Sequence, residues 1–180
     1  MFRADEGMGF LLRYENVAWY EDGAVRILDR RIYPVRTEFV TCTRHEEVAQ
    51  AIADMVTQSG GPYTAAAMGM ALAAYEARDM ADDAAYLAYM EKAAYTLSHA
   101  RPTTVKKMEK VVERAMARVK TELASGTSRQ DMPQKLLEDA VDRCNDNYTR
   151  YDRIAEHLAD QIPQGGTIMT QCFAETIIGT

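Results

Sequence analysis

The sequence predicts an α+β chain: a small antiparallel β meander, then a helical bundle, then the first strand of an α/β unit. Three observations lead to this class. Apolar and polar residues alternate over residues 10–41, the spacing becomes helical from 43 to about 160, and a Gly-Gly pair then leads into a β-branched run at 167–170. The implied organisation is a meander over 1–42, a bundle over 43–163, and the start of an α/β domain over 164–180.

Each element has its own signal. In the meander, "LLRYENVAWY" and "AVRILDRRIYP" flank "EDG", a tight-turn sequence, and Val25 and Ile27 alternate with Arg26 and Leu28. "TRHE" at 43–46 reads as a capping box between Thr43 and Glu46, followed by Val48, Ala51, Ile52 and Met55 on one face of a helix that should end near Gly60. Pro62 suits the first turn of a second helix, "PYTAAAMGMALAAYEA", whose small residues permit close packing. A third helix over 79–99 has acids at its start, where they complement the helix dipole. "ARPTT" interrupts it. A fourth helix over 104–124 carries Val105, Met108, Val112, Ala115 and Val119 on one stripe; "SGTSRQDMP" is a loop, and Pro133 opens a fifth helix reaching Asp160.

Composition excludes several function classes. The net charge is -6 with no Lys/Arg stripe, so the footprint of a nucleic-acid binder is missing. No apolar run approaches the roughly 20 residues of a membrane span, and "MFRADEGMGF" is unlike a secretory signal. Cys42, Cys144 and Cys172 are odd in number and far apart, which fits a reducing cytoplasm and suggests neither disulfides nor zinc. His45, His99 and His157 are dispersed, so no metal site is expected. Tyr86, Tyr89 and Tyr95 read as packing surface.

Four segments occur in a telling order: "VAWYEDGAVRILDRRIYP", "ADMVTQSGGPYTAAAMGMALAA", "RPTTV" and "RIAEHLADQIPQGGTIMTQC". Together they resemble the methylthioribose-1-phosphate isomerase family, whose fold is shared with ribose-1,5-bisphosphate isomerases and the alpha, beta and delta subunits of translation initiation factor 2B. The resemblance implies a Rossmann-like domain beginning at the last strand and continuing past Thr180, where it would supply a catalytic aspartate and most of a homodimer interface. On that expectation the 180 residues are an N-terminal portion, inactive alone. The implied reaction is the aldose-to-ketose isomerisation of a phosphorylated pentose such as 5-methylthioribose 1-phosphate, a step of methionine salvage that needs no cofactor.

The resemblance also assigns residues. Cys172 would share proton transfer with the aspartate, a role that needs its thiol pKa moved toward neutrality. Arg101 of the "RPT" motif would lie near the phosphate, where a guanidinium makes bidentate bonds. Ser59, Gly60 and Gly61 stand where the enzymes show Arg-Gly-Ala, so glycine backbone could approach the anion but one cation is lost. Gln171 and Phe173 replace the usual His and Asn around the cysteine. Plainer roles remain open: Cys172 as buried filler, Arg101 as a solvated loop residue, and the glycines as a helix junction. The alternative function is a non-catalytic subunit, like those of initiation factor 2B, that binds a sugar phosphate or nucleotide.

Overall fold

A computed structural model describes residues 2–169. The sheet is antiparallel in the order β1 (Ala18–Glu21), β2 (Ala24–Leu28), β3 (Phe39–Cys42). Ala18 faces Ile27 and Glu21 faces Ala24 across a two-residue turn, in which Asp22 and Gly23 have φ of 48° and 78°. Two positive φ values are what a hairpin turn matched to strand twist demands, so the "EDG" expectation holds. Five helices follow: α1 (His45–Ala53), α2 (Gly61–Ala77), α3 (Asp83–Ser98), α4 (Val105–Ala124) and α5 (Met132–Ala159). This is the α+β arrangement the periodicities imply. Among the described residues, no helix is long and apolar enough to cross a membrane.

The core is organised around α2. Thirteen of its residues are buried, among them Met68, Met70 and Leu72 at 0% exposure. A helix apolar on every side must be surrounded, and α2 touches β1, β2 and all four other helices. The inner sheet residues Ala18, Val25 and Ile27 share one core with it. By contrast α4 is amphipathic: Met108, Val111, Val112, Ala115, Met116 and Val119 are buried at three- and four-residue spacing.

Four expectations change. Residues 10–16 form two 3-10 turns, Phe10–Leu12 and Tyr14–Asn16, instead of strand. The alternation there reflects burial of Leu12 and Tyr14 against helix and loop, with no ladder. Second, the acid that caps α1 is Glu47, in place of Glu46: its carboxylate accepts from the Thr43 and Arg44 amides at 2.7 and 3.2 Å. The box is one-sided, because Arg44 at the cap has no acceptor to return.

Third, α1 stops at Ala53 well before Gly60. Met55 turns left-handed (φ 61°), while Val56 N donates to Ala51 O and Met55 N to Ile52 O, the paired bonds of a Schellman end. Met55 is therefore 40% exposed and off the apolar face. Fourth, residues 167–169 are irregular. A strand exists only with a ladder partner, and the described residues provide none there; the rest of that expected unit, from Thr170, lies outside them.

The N-terminal segment is strapped to α5 by a buried amide. The Asn145 side chain accepts from Ala4 N and Tyr14 OH, both at 2.9 Å, and donates to Phe2 O at 2.8 Å. Tyr148 OH adds a bond to Leu12 O at 2.7 Å. Asn145→Ala leaves three groups unpaired, one of them the hydroxyl of buried Tyr14, and should lower stability by about 1 to 3 kcal/mol. Limited proteolysis should then cut within residues 2–16 before the helices, whereas equal protection in variant and parent would show that the strap is held by other contacts.

The α1–α2 junction separates two adjacent glycines. A Cβ on Gly61 would lie 2.0 Å from Oγ1 of buried Thr57, while one on Gly60 meets nothing within 4 Å. Gly61→Ala should therefore lower stability by about 1 to 3 kcal/mol, the usual cost of overpacking. Gly60→Ala should leave the melting temperature nearly unchanged; equal effects in the two variants would refute this packing.

Candidate functional site

Of the residues singled out in the sequence, Ser59, Gly60, Gly61 and Arg101 come together at the N-terminal end of α2. The loop between α1 and α2 contains two non-glycine residues with left-handed backbone, Met55 and Ser59, the latter with φ 55°. Strained residues of this kind persist where the surroundings fix them, and they cluster at binding sites. Ser59 and Gly60 are exposed, and Gly61 is buried at the first turn of α2. Its amide already donates to Gln58 O at 2.9 Å, and Pro62 has no amide to give. The helix end alone therefore offers little to an anion.

Cations come to this end from other elements. Arg101 is extended (φ -145°, ψ 116°), as a residue preceding proline should be. Its carbonyl accepts from both the amide and the hydroxyl of Thr104 at 3.1 Å, which fixes the 3-10 turn Pro102–Thr104. The guanidinium reaches the sulfur of Met55. Thus the Arg101 side chain, from the segment between α3 and α4, touches the loop that also carries Ser59 and Gly60. Lys107, one turn further on, lies with Nζ 4.9 Å from the ring centroid of Tyr63 in the first turn of α2.

A cavity of about 80 Å³ opens beside Gly60 and Gly61. One wall is Leu11 and Val17 from the N-terminal segment, another is Tyr63 and Thr64 of α2, and the third is Arg143, Cys144, Asn147, Tyr148 and Tyr151 of α5. Arg143 is partly buried, and its Nε is fully buried with no hydrogen-bond partner. These α5 residues were not anticipated. Their signal was available in part, since Arg143, Asn147 and Tyr151 recur every four residues, but nothing in the sequence said which way that face turned.

Neither described cysteine is suited to proton transfer. Burial pushes the Cys42 thiol up to about 11 and raises that of Cys144 as well. Cys172 lies outside the described residues. His45 is the first residue of α1 and is 1% exposed; its Nδ1 lies 2.7 Å from Glu76 Oε2 and 3.3 Å from Glu46 Oε2. These three residues offer ligand atoms within 4.8 Å of one another, a set that could hold a cation and that the sequence did not suggest. Glu76 is 31 residues from His45 in the chain. It also accepts the His45 amide at 3.2 Å, so the cluster ties α1 to the far end of α2. At 1.5 Å per residue that is about 22 Å from Gly61, remote from the cavity.

Comparison with known proteins agrees with this architecture. The model of the initiation factor 2 subunit family matches residues 57–180. Methylthioribose-1-phosphate isomerase from Roseiflexus sp. (strain RS-1) is 34% identical over 163 residues, covering 87% of this chain and 44% of that protein. The enzyme of the same name from Thermotoga neapolitana is 28% identical over 167 residues, covering 91% of this chain and 45% of its own length. The chain thus spans less than half the length of these curated relatives.

Among solved structures, 5-methylthioribose 1-phosphate isomerase from Pyrococcus horikoshii OT3 shares the fold with a TM-score of 0.67 at 23% identity, over 82% of this chain and 41% of that one. The delta subunit of translation initiation factor eIF-2B from A. fulgidus matches with a TM-score of 0.65 at 26% identity, over 82% of this chain and 42% of that one. The extent of the family match, over two-thirds of the sequence, makes this chain a member of the initiation factor 2 subunit family.

Proposed function

We propose that the whole protein isomerises a phosphorylated pentose from aldose to ketose, as the isomerases named among its relatives do, with 5-methylthioribose 1-phosphate as the first substrate to test. The observation that carries this reading is the meeting of Arg101 with the Met55–Ser59–Gly60 loop at one end of α2. An acidic chain with net charge -6 repels anions over most of its surface. Placing a guanidinium on a strained, glycine-ended loop makes this end an exception, suited to a phosphate.

Phosphate on carbon 1 blocks the free aldehyde that ordinary sugar isomerases use. The ring must open and hydrogen must move between carbons 1 and 2, which needs an acid–base pair and a site that holds the phosphate still. Arg101 would hold the phosphate through its planar fork, while Cys172 and an aspartate elsewhere in the whole protein would move the protons. The division of labour suits the thiols. Burial keeps Cys42 and Cys144 protonated, which suits neither to the role proposed for Cys172.

In the whole protein, Arg101→Lys keeps the charge but loses the fork. Calorimetric binding of the sugar phosphate should weaken by about 1 to 3 kcal/mol, with an unchanged melting temperature. Equal binding by both proteins would remove Arg101 from the site.

Cys172→Ser should keep ligand affinity and fold while turnover drops by roughly 100- to 10,000-fold, the span for loss of a positioned acid or base. Cys42→Ser serves as the control, and its relative turnover should follow its stability alone. Full turnover by Cys172→Ser would defeat the assignment. Sugar-phosphate binding by the parent without conversion of any pentose phosphate would instead point to a non-catalytic, ligand-sensing subunit.

A further inference from the structure

We propose that Arg143, with Asn147 and Tyr151, forms a second oxyanion-binding wall on α5, facing Gly60 across the cavity at the end of α2. That the anion is the single phosphate of the sugar-phosphate substrate, shared with Arg101, rests on the isomerase reading above; the anionic character of the site does not.

The first ground is the unmet charge of Arg143. A guanidinium stays ionised under all ordinary conditions, and a partly buried one is normally matched by a carboxylate. Arg31, Arg114, Arg118 and Arg129 each have such a partner. Arg143 has none among the described residues, and its buried Nε lacks any hydrogen bond. Its natural helix partners, four residues before it and three after, are Asp139 and Asp146. Both are taken: Arg114 of α4 donates to Asp139 at 2.9 Å and to Asp146 at 3.3 Å. The chain thus brings two acids within helical reach of Arg143 and commits both to another cation.

The second ground is the cavity itself. No Asp or Glu lines it, although the chain has 27 of them. Arg143, Asn147 and Tyr151 follow one another at four-residue spacing, so their side chains share a face of α5. They can present a charged fork, an amide N–H pair and a phenolic O–H to one group. A volume of about 80 Å³ is that of two or three waters, which suits one oxyanion head. Water alone would satisfy Nε and leave the charge unbalanced. Gly60 completes the opposite side, where an added Cβ would meet nothing, so a ligand can approach its backbone.

The test is titration of the whole protein with inorganic phosphate, read by calorimetry and by the Nε–H resonance of Arg143, identified from its loss in Arg143→Lys. Phosphate should shift that resonance. Arg143→Gln should weaken phosphate binding by about 10- to 100-fold, as for loss of a charge-assisted hydrogen bond, and Arg143→Lys should fall between. Should the glutamine variant unfold, the lysine variant and the resonance shift still decide the matter.

Unchanged affinity in Arg143→Gln, or an Nε–H that ignores saturating phosphate, would overturn the proposal. Pentose-phosphate turnover that is insensitive to both Arg143 variants would do the same while leaving the isomerase reading intact. Phosphate binding that depends on Arg143, in a protein that converts no pentose phosphate, would uphold this site and remove that reading.

Discussion

A seventeen-residue helix with no polar face can exist in water only inside something else, and α2 is such a helix. Its alanines and methionines stabilise nothing while exposed, so α1, α3, α4, α5 and two strands have to close around it. Small side chains bring those neighbours close, and each of them spends its own apolar stripe on the same axis. The ends of α2 then become the places where segments from distant parts of the chain meet. At one end His45 and Glu76 join α1 to α2; at the other, the α1–α2 loop, the turn before α4 and the middle of α5 converge.

The same dependence explains what was legible in the sequence. α2 and α4 could be read because their composition or spacing leaves one solution, burial all round or burial on a stripe. The hairpin was legible because Asp-Gly supplies the two positive φ values its turn needs. The stretch over 10–16 misled because alternation reports burial without naming the partner: Tyr14 buries against α5, 131 residues away from the Asn145 that holds its hydroxyl. The cap of α1 shifted by one residue for a similar reason. Glu46 and Glu47 are both in reach of the helix start, and Arg44 takes the first at 3.2 Å, leaving the second for the backbone.

The candidate site divides along the same line. Arg101 could be singled out only through the family resemblance of its "RPT" motif; the proline after it restricts the backbone locally but does not by itself point to a ligand. Gly60 and Gly61 were visible as a pair but not as different: one is a packing contact with Thr57, and the other borders open space. Arg143 was legible only as one of a four-residue repeat with Asn147 and Tyr151, with nothing to mark its charge as unmet. Read alone, α5 pairs it with Asp139 or Asp146, and only the packing of α4, which brings Arg114 to both acids, takes those partners away.

What aims Arg143 at the cavity is therefore the way α5 is pinned on its other faces. Successive residues turn by about 100° around a helix, so Asn145 and Tyr148 project more than a quarter turn from Arg143 and Asn147 respectively. Both are bonded to the N-terminal segment. On the opposite flank Asp139 and Asp146 are bonded to α4 through Arg114. With both flanks fastened, the face between them, carrying Arg143, Asn147 and Tyr151, turns to the cavity bounded by the first turn of α2 and by Leu11 and Val17. The N-terminal segment does double service here, because Leu11 and Val17 form a wall of the very cavity whose opposite wall the strap orients. The anion site proposed at the end of α2 and the docking of the N-terminal segment in that way depend on one helix orientation.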